Sequence, residues 1–484
     1  MTRPIIIVTG ANGGLGYGIC QRLLVQLSTP SPPDALPQPF EEALPPREEG
    51  KAMPKYTGAT VIMACRSVAR AEKARGELLK WFDAHLRKRI AKGGVDKAAE
   101  EFRKNLVVEV EYLDLASTKS VFDFAARIRS RYTYISHLMC NAGLASFTGI
   151  DWALAIKQLL ASPMQAVTAP LFYSQHQGEL SIDGLGWVWQ CNFFGHFALF
   201  RELENLLAAS SPSSNAISVS ASPPSSAVKA GDIEGLGAGR VVWCSSIEAS
   251  PAFYDPADWQ LKNTTHSYES SKYQIDIVAT TLDRLSTHPT ISADSEPKSS
   301  NPTNASRNGS GRVRHFVSQP GVVNTNVANA LIGPFFDMIK ICLFYLARWL
   351  GSPNHPISPY KGALAATHLA LVPLACLALL TSAPPPPPSS SQSKAKSKAS
   401  ASSEGKGGNS SSKSSKGYPR VPPVRFGSET DRWGEERVGL SPVKAWLANE
   451  EEGRRLVLAC DALLRKCKEE EGRGWVGENA SERM

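Results

Sequence analysis

Apolar residues in this chain cluster into short unbroken runs. IIIVT at 5–9, ATVIMACR at 59–66, LVVEVEYLDL at 106–115, HLMC at 137–140, RVVWCSS at 240–246 and VRHFVSQP at 313–320 are the clearest. Runs of this length, rich in Val and Ile, read as strands. They are apolar throughout rather than alternating, which predicts strands buried on both faces. Helical patterns lie between them: one from Gly14, SVARAEKARGELLKWFDAHL at 67–86, one from Ser117, one around 185–206, and one through Tyr268. Strand and helix in alternation predict an α/β fold with a doubly wound parallel sheet.

Proline-, serine- and glycine-rich stretches punctuate this pattern. Residues 383–417 (APPPPPSSSQSKAKSKASASSEGKGGNSSSKSSKG) cannot bury a core and are expected to be a disordered linker or insertion. Milder stretches at 28–57, 208–238 and 288–311, and a long excursion at 146–183, are expected to be surface insertions. Residues 1–382 are thus expected to form one catalytic domain with insertions. Residues 418–470, with the helical spacing of VKAWLANEEEGRRLVLACDALLRKC, are expected to pack back on it.

Composition narrows the class. Hydrophobic residues at 42% and charged residues at 20% describe a soluble globular chain with an ample core. The net charge is +8, but residues 389–417 carry six lysines and one glutamate, leaving the remainder nearly neutral. A basic groove for nucleic acid is therefore not indicated. The nine cysteines show no CxxC and no metal-binding spacing, and Cys65, Cys140 and Cys244 sit in strand-like runs. This favours a reducing compartment and no metal. The first apolar run is too short for a signal peptide.

TGANGGLG at 9–16 follows the first strand directly and opens the first helix. Gly10, Asn12, Gly13, Gly14, Leu15 and Gly16 are then placed to let a dinucleotide pyrophosphate approach the backbone at a helix N-terminus, which makes the sheet Rossmann-type. The second strand ends in CRS. An acid there would bind the ribose 2′-hydroxyl of NAD, whereas Arg66 accommodates a 2′-phosphate, so the cofactor is expected to be NADP or NADPH. In SYESSKYQID at 267–276, Tyr268 and Lys272 share one helix face. An ammonium near a phenol favours the phenolate, so Lys272 is expected to acidify Tyr268.

The TGxxxGxG loop, LDL with Asp114 and Leu115, CNAG with Asn141, Ala142 and Gly143, and QPG followed by Val323 and Thr325 occur in the order of the short-chain dehydrogenase/reductase family, which the chain resembles. The resemblance implies that Asp114 meets the adenine, that the NAG motif closes over the cofactor and that Thr325 binds the nicotinamide carboxamide. It makes Tyr268 the proton donor to a carbonyl, with Lys272 on the nicotinamide ribose. Ser246 would hold the substrate oxygen, with Ser245 as the alternative register, and Asn192 would support a proton-relay water. His196 and His266 match no such position and are expected to be structural. Ser246 and Tyr268 are 22 positions apart (268 − 246), more than most of the family has, so an added loop is expected near the substrate mouth.

The string SSIEASPAFYDPADWQLKNTTHSYESSKYQID is the most specific in the chain. It resembles the 3-keto-steroid reductases of sterol C4 demethylation, the fungal ones above all. That implies NADPH-dependent reduction of a 3-ketosterol such as zymosterone to the 3β-alcohol. It also implies partnership with the other C4-demethylation enzymes and oxidosqualene cyclase, at the cytosolic face of the endoplasmic reticulum and on lipid droplets. The competing functions are reduction of another lipophilic ketone or aldehyde, such as a retinoid, and a non-enzymatic NADPH-binding scaffold.

A greasy substrate draws attention to 331–350, LIGPFFDMIKICLFYLARWL. Asp337 and Lys340 at its centre disfavour spanning a bilayer. A helix on the membrane surface or lining the sterol pocket is expected, with an ordinary core helix as the alternative. Residues 363–382 lack charge but are interrupted by Pro373, and read as a core helix rather than an anchor.

Overall fold

The computed structural model describes residues 3–41, 55–93, 96–210, 237–287, 313–325, 329–377, 380 and 422–473. The linker expected at 383–417, the whole stretch at 288–311, most of that at 208–238 and residues 42–54 of that at 28–57 lie outside the described residues.

The chain runs β1 (Ile5–Thr9), α1 (Gly14–Leu27), β2 (Thr60–Cys65), α2 (Val68–Gly93), α3 (Lys97–Lys104), β3 (Val107–Tyr112), α4 (Thr118–Arg131) and β4 (His137–Cys140). An insertion follows, with β5 (Phe147–Ile150), α5 (Trp152–Ala161), α6 (Pro163–Thr168) and β6 (Tyr173–Gln175). Next come α7 (Trp187–Trp189), a π-helical turn at Gln190–Phe194, α8 (Gly195–Ala208), β7 (Arg240–Cys244), α9 (Ser267–Thr287) and β8 (Arg314–Gln319). The last elements are α10 (Asn329–Trp349), α11 (Pro359–Gly362), α12 (Leu364–Leu371), β9 (Val424–Thr430), β10 (Glu436–Pro442) and α13 (Trp446–Glu470).

Eight strands form one sheet in the order β3-β2-β1-β4-β7-β8-β9-β10, parallel except for the β9–β10 hairpin. Successive side chains of a strand leave opposite faces. Ile5 and Ile7 accordingly join a core with Phe122, Phe197 and Ile277 of α4, α8 and α9. Ile6 and Val8 join a second core with Leu23, Leu78 and Leu369 of α1, α2 and α12. Helices thus cover both faces, and the strand order reverses between β1 and β4. A doubly wound sheet opens its cleft there, beyond the C-terminal strand ends.

The structure departs from the sequence expectation in three places. β3 is the edge strand: Val107 and Tyr112 are exposed, and Glu109 and Glu111 face out to Arg131 and Arg127. Residues 422–442 form a strand pair whose β9 extends the sheet through Ser318↔Phe426 and Gln319↔Gly427. The stretch beginning at 28 is not a plain surface insertion. Asp34 is buried and accepts from Arg22 Nε and Nη2 at 2.5 and 2.9 Å, and the buried His368 ring meets Asp34 O and Glu41 Oε1 at 2.8 and 2.7 Å.

α13 lies so close to α9 that a Cβ on Gly453 would meet Thr281 Oγ1. α12 is buried along its whole length. Among the described residues, no helix is long and apolar enough to cross a membrane, and no group of three or more His, Cys, Asp or Glu side chains is placed to hold a metal. The nine cysteines are all free, and all but Cys342 are buried.

Candidate active site

The glycine loop is built for close approach. Gly10 adopts φ +66°, and a Cβ there would lie 3.0 Å from Ala142 Cα. A Cβ on Gly16 would run into Gly10 O and lie 2.5 Å from Asn141 Nδ2. Gly14, at φ +50°, faces the Thr325 side chain, so the segment after β8 reaches the loop. Gly13 precedes α1 with no side-chain cap, and the first turn carries no acid. The helix therefore presents free N–H groups and a positive dipole end. Leu15 packs on the core beneath, and Val323 is held by a bridge to Ile357.

Thr9 joins this loop to the NAG turn. Its hydroxyl accepts from Asn141 N and Ala142 N, both at 2.9 Å, and its carbonyl accepts from Asn141 Nδ2 at 2.9 Å. The cleft above opens to solvent, and its walls include Gly10, Asn12, Arg66, Asp114, Leu115 and Gly143. Asp114 Oδ1 caps Ala116 N at 3.0 Å, and Asp114 N donates to Ser120 Oγ at 2.9 Å, which fixes the carboxylate at the rim. Two further residues line the cleft beside Arg66, Ser67 and Arg70, which sequence reasoning did not single out. Two guanidinium groups and a hydroxyl at the end of β2, with no acid among them, suit a ribose 2′-phosphate. A cradle that only glycine fits, an uncapped helix terminus and this basic corner together fit NADP(H).

The reacting centre lies where β7 ends and α9 begins. Ser246 follows β7, and its hydroxyl faces the Tyr268 phenol in the first turn of α9, close enough to lower it. Ser245 instead lies buried, its Oγ 3.4 Å from Lys272 O, so Ser246 is the hydroxyl that meets the phenol. Lys272 Nζ is 5.8 Å from the Tyr268 ring centroid and donates to Cys244 O at 2.8 Å. Gly143 lies against both Lys272 Nζ and Asn192 Oδ1, which brings the NAG turn to the same point.

The expected acidification of Tyr268 by Lys272 is not what the structure has. Burial raises the phenol above its ordinary range, the Glu248 carboxylate raises it further, the Ser246 hydroxyl lowers it, and Glu269 raises it again. Lys272 is itself buried and its ammonium disfavoured, and it is tied to the end of β7. The phenol consequently holds its proton through neutral pH.

Asn192 sits in the π-helical turn, a feature frequent at functional sites. Its side chain accepts from Leu144 N at 2.8 Å and donates to Leu144 O at 2.9 Å and Ser271 Oγ at 3.1 Å. The side chain thus braces the turn after the NAG motif. His196 has a place sequence reasoning did not assign. Its Nδ1 is 3.1 Å from Asn192 O and its Nε2 is 2.9 Å from Thr9 Oγ1. A carbonyl only accepts, so Nδ1 carries the proton and Nε2 accepts from Thr9. Burial lowers the ring to about 4, so it stays neutral.

The insertion after β4 forms a wall of this site. Phe147 of β5 stacks on Tyr173 of β6 at 4.6 Å and lies 6.3 Å from the Tyr268 ring. Gln175 Oε1 accepts from Tyr268 N at 3.0 Å and from Ser267 Oγ at 3.2 Å, so the insertion caps α9. The loop between Ser246 and Tyr268 is anchored by Trp259 against Trp189 and by Asp258, which accepts from the amides of Lys262, Asn263 and Thr264. His266 stacks on Phe253 at 3.9 Å and meets Glu269 Oε1 at 3.4 Å.

A doubly wound sheet with a glycine cradle after its first strand, and a serine, tyrosine and lysine gathered at the β7–α9 junction, defines the short-chain dehydrogenase/reductase class. No catalogued family profile matches the chain. A 3-keto-steroid reductase of Aspergillus fumigatus is 30% identical over 389 residues, covering 78% of this chain and 74% of the relative. Another from Schizosaccharomyces pombe is 29% identical over 371 residues, covering 76% and 82%. The chain belongs to the 3-keto-steroid reductase family.

Proposed function

We propose that this chain is an NADPH-dependent 3-keto-steroid reductase, converting the 3-keto group of a C4-demethylated sterol intermediate such as zymosterone to the 3β-alcohol. The observation that carries this reading is the Ser246 hydroxyl set against the Tyr268 phenol, with Lys272 and the NAG turn at the same point, in a chain of this family. When bound, NADPH supplies hydride to the carbonyl carbon. Gly10, Gly14, Gly16, Arg66 and Thr325 would hold it, with Asp114 and Asn141–Gly143 at its flanks. Tyr268, protonated at neutral pH, gives its proton to the carbonyl oxygen, and Ser246 orients that oxygen. Lys272, tied to the end of β7, would bind the nicotinamide ribose and order the relay. Asn192 holds the Leu144 turn in place, and its backbone carbonyl would support a water that returns the proton.

Phe147 and Tyr173 supply an apolar wall for a lipophilic substrate. Outside it, Trp152, Ile156 and Leu160 of α5 and Phe335, Met338 and Trp349 of α10 are exposed. Trp152 meets Phe336 at 5.5 Å, which joins the two helices into one apolar surface. Asp337 and Lys340, the charges that argue against spanning, pair with each other at 2.6 Å. These features support contact with a membrane surface. The proposed location is the cytosolic face of the endoplasmic reticulum and lipid droplets, and the proposed partners are the other C4-demethylation enzymes and oxidosqualene cyclase.

Incubation of the purified full chain with NADPH and zymosterone, followed by mass spectrometry, is expected to yield the 3β-alcohol. No turnover beside an active control would reject the substrate. Faster reduction of a retinaldehyde would move the reading to another lipophilic carbonyl. Flotation with neutral phospholipid vesicles is expected to carry the wild-type chain and not Ile156→Glu/Met338→Glu, and equal flotation would remove the membrane proposal.

A further inference from the structure

The segment 246–249 follows β7 beyond the sheet ladder. Buried backbone acceptors outside a ladder must find other partners. Here Ala249 N reaches Ser246 O at 3.2 Å, and two cations from beyond residue 422 supply the other donors. Arg425 Nη1, on β9, donates to Ser246 O at 3.1 Å. Lys444 Nζ, just after β10, donates to Ile247 O at 3.1 Å and to Ala249 O at 2.7 Å.

Arg425 makes a second bond. The same Nη1 lies 3.1 Å from Asp276 Oδ2, and Asp276 stands one helical turn beyond Lys272 on α9. One guanidinium therefore links the strand end that presents Ser246 to the helix that presents Tyr268 and Lys272. Both partners of this ion pair are buried. A buried pair contributes little net stability against an apolar substitute of the same shape, and its best-attested use is to fix one arrangement over others.

We infer that the C-terminal strand pair clasps the catalytic loop, with Arg425 and Lys444 as positioning residues that set the Ser246 hydroxyl against Tyr268. This rests on the reductase reading above and goes beyond it, because neither residue lies in the glycine-lined cleft. The two side chains play different parts. Arg425 registers β7 against α9 from inside the core, whereas Lys444 is exposed and steadies the loop from its rim. Reacting groups tolerate misplacement poorly: a shift of about 1 Å costs about a hundredfold in rate.

The test uses the full chain with Lys444→Met, Arg425→Met and Arg425→Lys. In Lys444→Met, the NADPH dissociation constant is expected to match wild type and the thermal midpoint to fall modestly as two carbonyls lose their donor, while kcat on the 3-keto steroid falls about tenfold with little change in KM. Arg425→Met is expected to lose more, and Arg425→Lys to recover part of it, since the charge returns without the planar fork. Wild-type kcat in Lys444→Met overturns the inference even where Arg425→Met fails to fold. So does a loss of kcat matched by an equal loss of NADPH affinity.

If the wild-type chain turns over no 3-keto steroid, the substrate reading fails on its own. The clasp is then judged by amide hydrogen exchange, where Lys444→Met is expected to speed exchange at Glu248 N and Ala249 N, which bond Ser246 Oγ and Ser246 O. Unchanged exchange overturns the clasp.

Discussion

The Ser246 hydroxyl faces the Tyr268 phenol although 22 positions of loop separate the two residues. The loop does not part them, because both of its ends are fixed: Ser246 by β7 and Tyr268 by the Gln175 cap on α9. With the phenol as the proposed proton source, Tyr268→Phe is expected to lower the reduction rate about a thousandfold or more. The ring remains to fill its place against Phe147, so NADPH binding, followed by fluorescence, should be unchanged. Retained turnover in Tyr268→Phe would assign the proton to another group.

Asn192 makes two bonds to the backbone of Leu144 from a buried position. Asn192→Ala leaves both backbone groups without these partners, at about 1–3 kcal/mol each before any water enters. A lowered thermal midpoint and a raised KM for NADPH are expected together, because the same turn carries Asn141, Ala142 and Gly143. A normal KM for NADPH in a destabilised variant would separate Asn192 from the cofactor site.

Arg66 and Arg70 line the cleft at the end of β2, with Asp114 elsewhere on the same lining. Arg66→Ala/Arg70→Ala is expected to lower kcat/KM for NADPH about a hundredfold, as two charge-assisted contacts to a 2′-phosphate are lost. NADH, which lacks that phosphate, should be affected little. Equal losses with both cofactors would show that the pair serves the cleft in some other way.

Much of this arrangement was legible in the chain because the signals were local. An apolar run followed by TGANGGLG specifies a strand, a tight turn and a helix within a dozen or so residues. Arg66 was legible because its position at a strand end defines its task, while Ser67 and Arg70 beside it have no such fixed position. What escaped depends on distant partners. β9 reads as mixed polar sequence, since Arg425, Ser428 and Thr430 are buried only because Ser246, Gly362 and His355 supply their partners. β3 misled in the opposite sense, because an edge position cannot be told from an apolar run alone. The Tyr268–Lys272 spacing placed the two residues on one face correctly but carried no information on Glu248, whose charge acts on the phenol from another loop.

Glu248 offers the sharpest test of this electrostatic picture. It is half-buried two residues beyond Ser246, and its carboxyl is pushed up from 4.5 to about 8, first by burial and then by Glu269, against the opposing pull of Lys444. Between those two values the folded chain holds a proton that the unfolded chain has released. Stability contributed at this site therefore falls as pH rises through that window. Glu248→Gln removes the term, so its thermal midpoint should gain on wild type from about pH 5 to about pH 8. The variant also loses the negative charge that raises Tyr268. The phenol then gives up its proton more readily, and the high-pH decline of the reduction rate should begin at lower pH than in wild type. A midpoint difference that stays flat from about pH 5 to about pH 8, with an unmoved rate profile, would mean that Glu248 is ionised and solvated in the folded chain.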